Sequence, residues 1–178
     1  PANLSIQINR FWELSAAKIL SLEKDSDALS VPAFTRNGRY TSQSWTDWTQ
    51  GFELGSWVLQ FDATDDSQFL DRGREYILDR MTPHLTHMGV HDHGFNNVST
   101  FGNLFRLHRE GRLGQDEWEL RYYALALKCS AAVQARRWFL SSSIFAALAL
   151  MGSCTIFTLT RSGLFSLGVV LLGTGWLW

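Results

Sequence analysis

The chain has 178 residues, a formal net charge of −1 and 46% apolar residues. This length is enough for one globular domain with a sizeable core. No basic stripe is present, so nucleic acid is not an expected partner. Cys129 and Cys154 are too few for a disulfide framework or a zinc cage, and we expect both to be buried structural thiols.

The charges are distributed unevenly along the chain. All 17 acidic residues lie at or before Glu119, whereas Arg136, Arg137 and Arg161 follow Lys128. No signal peptide is visible at the start of the sequence, which leads directly into an amphipathic pattern. We therefore expect two regions of different character, residues 1–137 and residues 138–178.

Apolar periodicity predicts a series of helices before residue 138. A first helix covers residues 4–22, and a polar connection with turn residues follows to residue 44. A second helix covers residues 47–62. It is expected to bury five apolar side chains: Trp48, Phe52, Val58, Leu59 and Phe61. Because no convincing strand precedes residue 138, the pattern indicates the all-α class.

Gly51 and Gly55 lie one turn apart in the second predicted helix. Two glycines at this spacing cost helix propensity, so we expect another backbone or a ligand to approach them closely. The segment Asp65-Asp66-Ser67 is expected to end this helix and to cap a third helix, which runs to about Met81. The later elements are a loop over residues 83–97, a helix over residues 98–110 and a helix that begins at Asp116.

Residues 138–178 differ in composition from the rest of the chain. Trp138 to Thr160 is an uncharged run after two arginines, and a run of this length can span a bilayer as a helix. In that case the membrane is a partner. The alternative is translation in a wrong reading frame or through an unspliced intron, which produces the same abrupt change. The sequence leaves both explanations open.

His91-Asp92-His93-Gly94-Phe95 is the sharpest candidate for chemistry. The ionisation of an Asp between two imidazoles can be adjusted by hydrogen bonds and charge, as a general acid requires. The alternative is that Asp92 caps the following helix or organises the loop, which is a common role for this residue type. Composition alone favours this alternative.

Two further groups of residues suggest binding or catalysis. All five histidines fall between His84 and His108, but their spacing matches no known metal-ligand motif, and we expect no metal. Trp45 and Trp48 can form a sugar platform or belong to the helix-packing core. Glu53 can serve as a second carboxylate, although a solvated helix face is its expected environment.

Two segments resemble motifs of the unsaturated glucuronyl hydrolases and the related unsaturated rhamnogalacturonyl hydrolases, glycoside hydrolase families 88 and 105. Residues 48–55, Trp-Thr-Gln-Gly-Phe-Glu-Leu-Gly, resemble the family pattern Trp-Thr-x-Gly-Phe-x-x-Gly. Residues 91–95, His-Asp-His-Gly-Phe, resemble the pattern His-Asp-x-Gly-Phe. The resemblance covers roughly residues 40–135, with both motifs in the family's order.

The resemblance implies an (α/α)6 barrel with its active site in the funnel at one end of the inner helices. It implies oligosaccharides that end in a 4,5-unsaturated uronic acid as substrates, and no cofactor. The family protonates C4 of the vinyl ether and adds water at C5, and the resulting hemiketal opens and releases the remaining sugar. Such proteins are cytoplasmic or secreted, whereas a genuine membrane tail would make this chain membrane-associated.

On this resemblance the catalytic pair is Asp92, at the reacting end of the substrate, and His91, which supports it. The residues expected to contact the sugar are Trp48, Trp45 and His93.

The chain also departs from the family in three ways. The family's principal acidic Asp lies in a later helix, which corresponds here to a tail without acids. Glu53 stands where the family commonly has an aromatic residue. The length suffices for about the first two or three hairpins of the barrel. We therefore expect the chain as given to be inactive and poorly soluble, and a membrane-tethered, non-catalytic helical binding module is the alternative function.

Overall fold

The computed structural model describes residues 2–25, 31–43, 48–89 and 91–157. Helices dominate this part of the chain, which confirms the predicted all-α class in its main feature. The described residues form six α-helices: α1 (Ala2–Asp25), α2 (Thr49–Thr64), α3 (Ser67–Met81), α4 (His93–Asn97), α5 (Asn103–Arg109) and α6 (Glu117–Phe157). A 3-10 turn at Thr82–His84 follows α3, and a π-helical turn at Val98–Gly102 joins α4 to α5.

A β-hairpin interrupts the expected polar connection between the first two helices. Strands β1 (Val31–Arg36) and β2 (Arg39–Gln43) pair antiparallel, with Arg36 opposite Arg39. Between them Asn37 and Gly38 have φ angles of 52° and 74°, which is the backbone of a tight two-residue hairpin turn. The expectation of no strand before residue 138 was therefore wrong, although the turn residues were correctly placed.

Helices α2 and α3 form the centre of the core. Asp65 ends α2 in the left-handed conformation, and the Asp66 carboxylate accepts a hydrogen bond from the Gln68 N–H at 3.0 Å, which caps α3 as predicted. The fully buried side chains include Leu54, Val58, Ile77, Phe101, Leu104, Leu107 and Tyr123. These residues come from α2, α3, the π-helical turn, α5 and α6, so several chain segments share one apolar core.

The buried face of α2 differs from the predicted one. Val58 and Phe61 are buried as expected, but Trp48, Phe52 and Leu59 are about half exposed. The buried positions instead include both glycines of the helix, because the backbone of α2 contacts a neighbouring segment along the face that carries them. Periodicity alone favoured the large apolar residues for burial and so selected the wrong edge of this helix.

The segment after α3 is more helical than its sequence suggests. The predicted loop over residues 83–97 contains the 3-10 turn and all of α4, which begins at His93. From His93 to Arg109 the chain is helical throughout, with a π-helical turn in the middle. The early start places the end of the His-Asp-His-Gly-Phe motif on a helix rather than in a loop.

The chain divides into two compact units, Pro1–Gln134 and Ala135–Trp178. In the second unit, the described part of α6 carries exposed large side chains such as Trp138, Phe139 and Phe145. No helix in the described part of the chain is long and apolar enough to cross a membrane. The predicted uncharged run continues to Thr160, beyond the described residues.

Candidate functional site

The two sequence motifs meet in the structure, through the glycines of α2. A Cβ atom on Gly51 would lie 2.3 Å from the Cα of Asn96, and one on Gly55 would lie 2.5 Å from the carbonyl oxygen of Ser99. No side chain fits at either distance, so only glycine allows this contact. The prediction that another backbone approaches these glycines is confirmed, and that backbone directly follows the His-Asp-His-Gly-Phe motif.

Three exposed aromatic rings connect the motifs at the surface. The ring centroids of Trp48 and Phe52 lie 5.6 Å apart, and those of Phe52 and Phe95 lie 6.1 Å apart. The three side chains are 50%, 48% and 56% exposed. We call Trp48, Phe52 and Phe95 the aromatic row. The ring planes of Trp48 and Phe52 are 82° apart and those of Phe52 and Phe95 are 35° apart, so each exposed ring offers its own apolar face, on which a sugar ring can stack.

Asp92 lies at the start of the helical turn that carries Phe95. Although Asp92 occupies the N-cap position of α4, its carboxylate makes no capping hydrogen bond, so the helix-capping alternative is wrong. The carboxylate lies 3.3 Å from Nε2 of His91 instead. The Asp92 side chain is 19% exposed and that of His91 is 72% exposed. Asp92 and His91 are therefore in direct contact, and the carboxylate is the more buried of the two groups.

The other two predicted sugar contacts have different outcomes. His93 is 1% exposed, and its Nε2 lies 3.1 Å from the carbonyl oxygen of Leu85. A buried imidazole that is bonded to the backbone cannot contact a sugar, so His93 holds the segment in place and does not bind the ligand. Trp45 lies outside the described residues.

The histidines do not form a metal centre in the described part of the chain, where no group of three potential ligands could hold a metal ion. Burial lowers the pKa of His84, and the nearby charges of His87 and His93 lower the pKa further. These three imidazoles therefore lie within electrostatic reach of one another.

Glu53 is not on a solvated face, contrary to expectation. It lines a small cleft between α1, α2 and α3, together with Glu23, Ser56, Trp57, Tyr76, Arg80 and two aliphatic residues of α1. Burial raises the pKa of Glu53 from 4.5 to about 6, and the charge of Arg80 partly opposes this rise. Glu23, on the wall of the same cleft, accepts hydrogen bonds from the Tyr76 hydroxyl at 2.5 Å and from Arg72 at 2.6 Å.

The cleft beside Glu53 is too small for a sugar. Its volume is about 50 Å³, whereas small-molecule sites typically occupy roughly 300–1,000 Å³. Neither Trp48 nor Asp92 lines it. Glu53 and Asp92 therefore belong to different surroundings, and the aromatic row is the better candidate surface for a carbohydrate.

The sequence analysis assigned no role at this site to three residues, Phe52, Phe95 and Asn96. Phe52 and Phe95 belong to the matched motifs, and their aromatic character was a usable signal. Asn96 directly follows the second motif, and nothing in its local sequence indicates the contact with Gly51.

Comparisons with known proteins add no relative. Neither a scan against protein-family models nor searches of the curated proteins and of the solved structures found a match to the chain. The functional assignment therefore depends on the geometry of the site and on the resemblance of its two motifs.

Proposed function

We propose that this chain is a glycoside hydrolase-like protein whose ligand is an oligosaccharide that ends in a 4,5-unsaturated uronic acid. Trp48, in the aromatic row, stacks against the sugar, and Asp92, assisted by His91, lies at the reacting end. We further propose that the helices of the first unit correspond to the first hairpins of an (α/α)6 barrel.

The contact between the two motifs is the single observation that carries this proposal. Gly51 and Gly55 bring α2 against the segment after Asp92, and the ring of Phe52 lies near the ring of Phe95. Aromatic rings and an acidic residue from distant stretches of chain thus share one region of the fold, with Phe95 one helical turn after Asp92. A sugar site needs both, because stacking holds the ring and proton transfer requires an acid or base within reach.

The proposed chemistry is the hydration of the vinyl ether in the unsaturated ring. A proton adds at C4, the oxygen of water adds at C5, and the hemiketal that forms opens with release of the remaining sugar. Asp92 is a carboxyl group suited to assist these proton transfers. Because Glu53 belongs to a separate cleft, we expect the chain as given to bind such oligosaccharides and to turn them over very slowly or not at all.

The first test is a fluorescence titration of the purified chain with an unsaturated uronyl disaccharide. Trp48→Ala should weaken binding about tenfold, since a lost stacking contact is worth on the order of 1 kcal/mol. Trp118→Ala is the matched control, because Trp118 is a 76% exposed tryptophan at the start of α6. The saturated disaccharide should bind more weakly than the unsaturated one.

Two results would contradict the proposal. One is the absence of saturable binding by the unmodified chain. The other is an equal loss of affinity in Trp48→Ala and Trp118→Ala, which would mean that binding does not involve the aromatic row.

A non-catalytic carbohydrate-binding module is the second candidate function. The separation of Asp92 from Glu53 favours it, because hydration of the ring needs more than one proton-transfer group. The ultraviolet absorbance of the conjugated uronate distinguishes the two functions, since hydration destroys the conjugation. Steady loss of absorbance that Asp92→Asn abolishes would establish catalysis, whereas saturable binding with constant absorbance would establish the module.

A further inference from the structure

The residue at the N-cap position of α2 makes no capping hydrogen bond with its side chain. The first amides of any α-helix have no partner within the helix, and a side chain at the N-cap position usually accepts a hydrogen bond from one of them. Trp48 occupies that position and provides no such bond. A side-chain acceptor for the first-turn amides of α2 is therefore supplied by a residue other than Trp48.

Asn96 provides that acceptor. Its Oδ1 accepts a hydrogen bond from the Gly51 N–H at 2.8 Å, across 45 residues of sequence. The bond is buried, since Asn96 is 3% exposed, and buried polar bonds of this kind define a single arrangement. A side chain at position 51 would collide with Asn96, so the glycine and the asparagine depend on each other.

Asn96 is also bonded to the segment that carries the acid. Its backbone N–H donates to the carbonyl oxygen of Asp92 at 3.2 Å. One residue thus connects the backbone of Asp92 to the helix that begins immediately after Trp48. The helix turn that begins at Asp92 and the helix that begins after Trp48 are thus joined through one residue, by its backbone N–H on one side and its side-chain oxygen on the other.

We infer that Asn96 is a positioning residue of the candidate site, which caps α2 from a distance and fixes Trp48 relative to Asp92. The expected effect on ligand binding rests on the proposed function. The capping of α2 by Asn96 depends only on the hydrogen bond to Gly51. The acceptor oxygen is the essential atom. An apolar side chain of similar size removes that atom without leaving a cavity.

The neighbouring residue gives a matched control. Asn97 is 1% exposed, and its Nδ2 donates to the His93 carbonyl oxygen at 2.8 Å, within its own helical segment. Asn97→Leu therefore removes a buried amide of the same size but leaves the bond to α2 intact. Asn96→Leu and Asn97→Leu should both destabilise the fold. Only Asn96→Leu should change the hydrogen exchange of the Gly51 amide and the ligand binding that involves Trp48.

Amide hydrogen exchange and sugar binding give the decisive measurements. In the unmodified chain, the Gly51 amide should be protected as strongly as amides in the interior of α2. Asn96→Leu should accelerate exchange at Gly51 about tenfold relative to those interior amides, and weaken disaccharide binding about tenfold. Asn97→Leu should leave the relative exchange and the affinity unchanged. Asn96→Asp, which keeps an acceptor oxygen, should restore most of the protection.

Three results would overturn the inference. An unprotected Gly51 amide in the unmodified chain would do so without any variant, even if Asn96→Leu failed to fold. Equal effects of the two leucine variants would show that Asn96 has only a general structural role. Faster exchange at Gly51 without loss of affinity would refute the role in the site. If the unmodified chain binds no disaccharide, the proposed function fails, while the exchange data still test the cap.

Discussion

The two ends of α2 each contain one carboxyl group, and the two groups have opposite environments. Near the C-terminal end, Asp62 pairs with Arg106 at 2.5 Å and also with Arg112. Near the N-terminal end, Glu53 lines a cleft where burial raises its pKa to about 6. Two guanidinium groups stabilise the Asp62 carboxylate. Burial instead disfavours the ionised form of Glu53.

This contrast separates a structural end of the helix from an end available for function. Arg112 also bonds to the Asp62 carbonyl oxygen at 2.8 Å and to Asp65 at 2.5 Å, which ties the chain after α5 to the end of α2. The N-terminal end has no comparable ion pairs among the described residues. It is held by glycine contacts and the uncharged bond to Asn96, and it presents exposed rings. Exposed apolar surface of this kind marks binding sites more often than structural contacts.

The largest expected effect is at the glycine contact. Gly51→Ala should destabilise the fold by about 3 kcal/mol or prevent folding, because the new methyl group would meet the Asn96 backbone at 2.3 Å. Urea denaturation followed by circular dichroism measures the change. Gly94→Ala is the control: a Cβ at Gly94 meets nothing within 4 Å, so helix propensity alone should leave stability unchanged or up to about 1 kcal/mol higher. Equal changes in stability in Gly51→Ala and Gly94→Ala would refute the close contact between Gly51 and Asn96.

At the opposite end of α2, Asp62→Ala should cost about 1–2 kcal/mol. The loss is moderate because Arg106 and Arg112 are partly exposed and keep bonds to Glu110 and Asp65. The destabilisation should shrink in high salt, which screens partly exposed pairs. Arg121→Ala is the control, since its pair with Glu117 is exposed and should contribute less than about 0.5 kcal/mol. A cost for Asp62→Ala no larger than that for Arg121→Ala would contradict the assigned role.

The smallest expected effect is at Glu53, where a substitution should stabilise the fold rather than destabilise it. Because the folded-state pKa of Glu53 is about 6 and its ordinary value is 4.5, the folded protein binds more protons between these pH values than the unfolded chain does. Stability should therefore fall as pH rises through this range and stay lower above it. Glu53→Gln, which cannot ionise, should flatten this dependence and stabilise the fold at pH 7 by about 1 kcal/mol.

Glu75→Gln, at an exposed position on α3, is the control for this pH series. Urea denaturation of both variants at pH 4.5, 6 and 7 gives the comparison, and the pH values bracket the shift of Glu53. A pH profile of Glu53→Gln that matches the unmodified chain would show that Glu53 is not the titrating group. The contrast between the two carboxylates of α2 would then be lost.

Local features of the fold were predictable from neighbouring residues. Asp66 caps α3 because a short acceptor precedes an apolar periodic segment, and Asn37-Gly38 forms a turn because both residues tolerate positive φ. The hairpin around that turn was missed, since its strands lack clear alternation and lie among polar residues. The helical start at His93 was missed because the motif contains glycine and charged side chains that resemble a loop.

The candidate site was predictable as a list of motifs, but its arrangement was not. The sequence itself determined that α2 needs a close neighbour at Gly51 and Gly55, and that an acid lies between two histidines. Only the tertiary structure decided that the neighbours are Asn96 and Ser99, that His93 is buried, and that Glu53 belongs to another cleft. The physical reason is that helix periods, caps and turns depend on residues a few positions apart, whereas burial and pairing depend on residues brought together from distant parts of the chain.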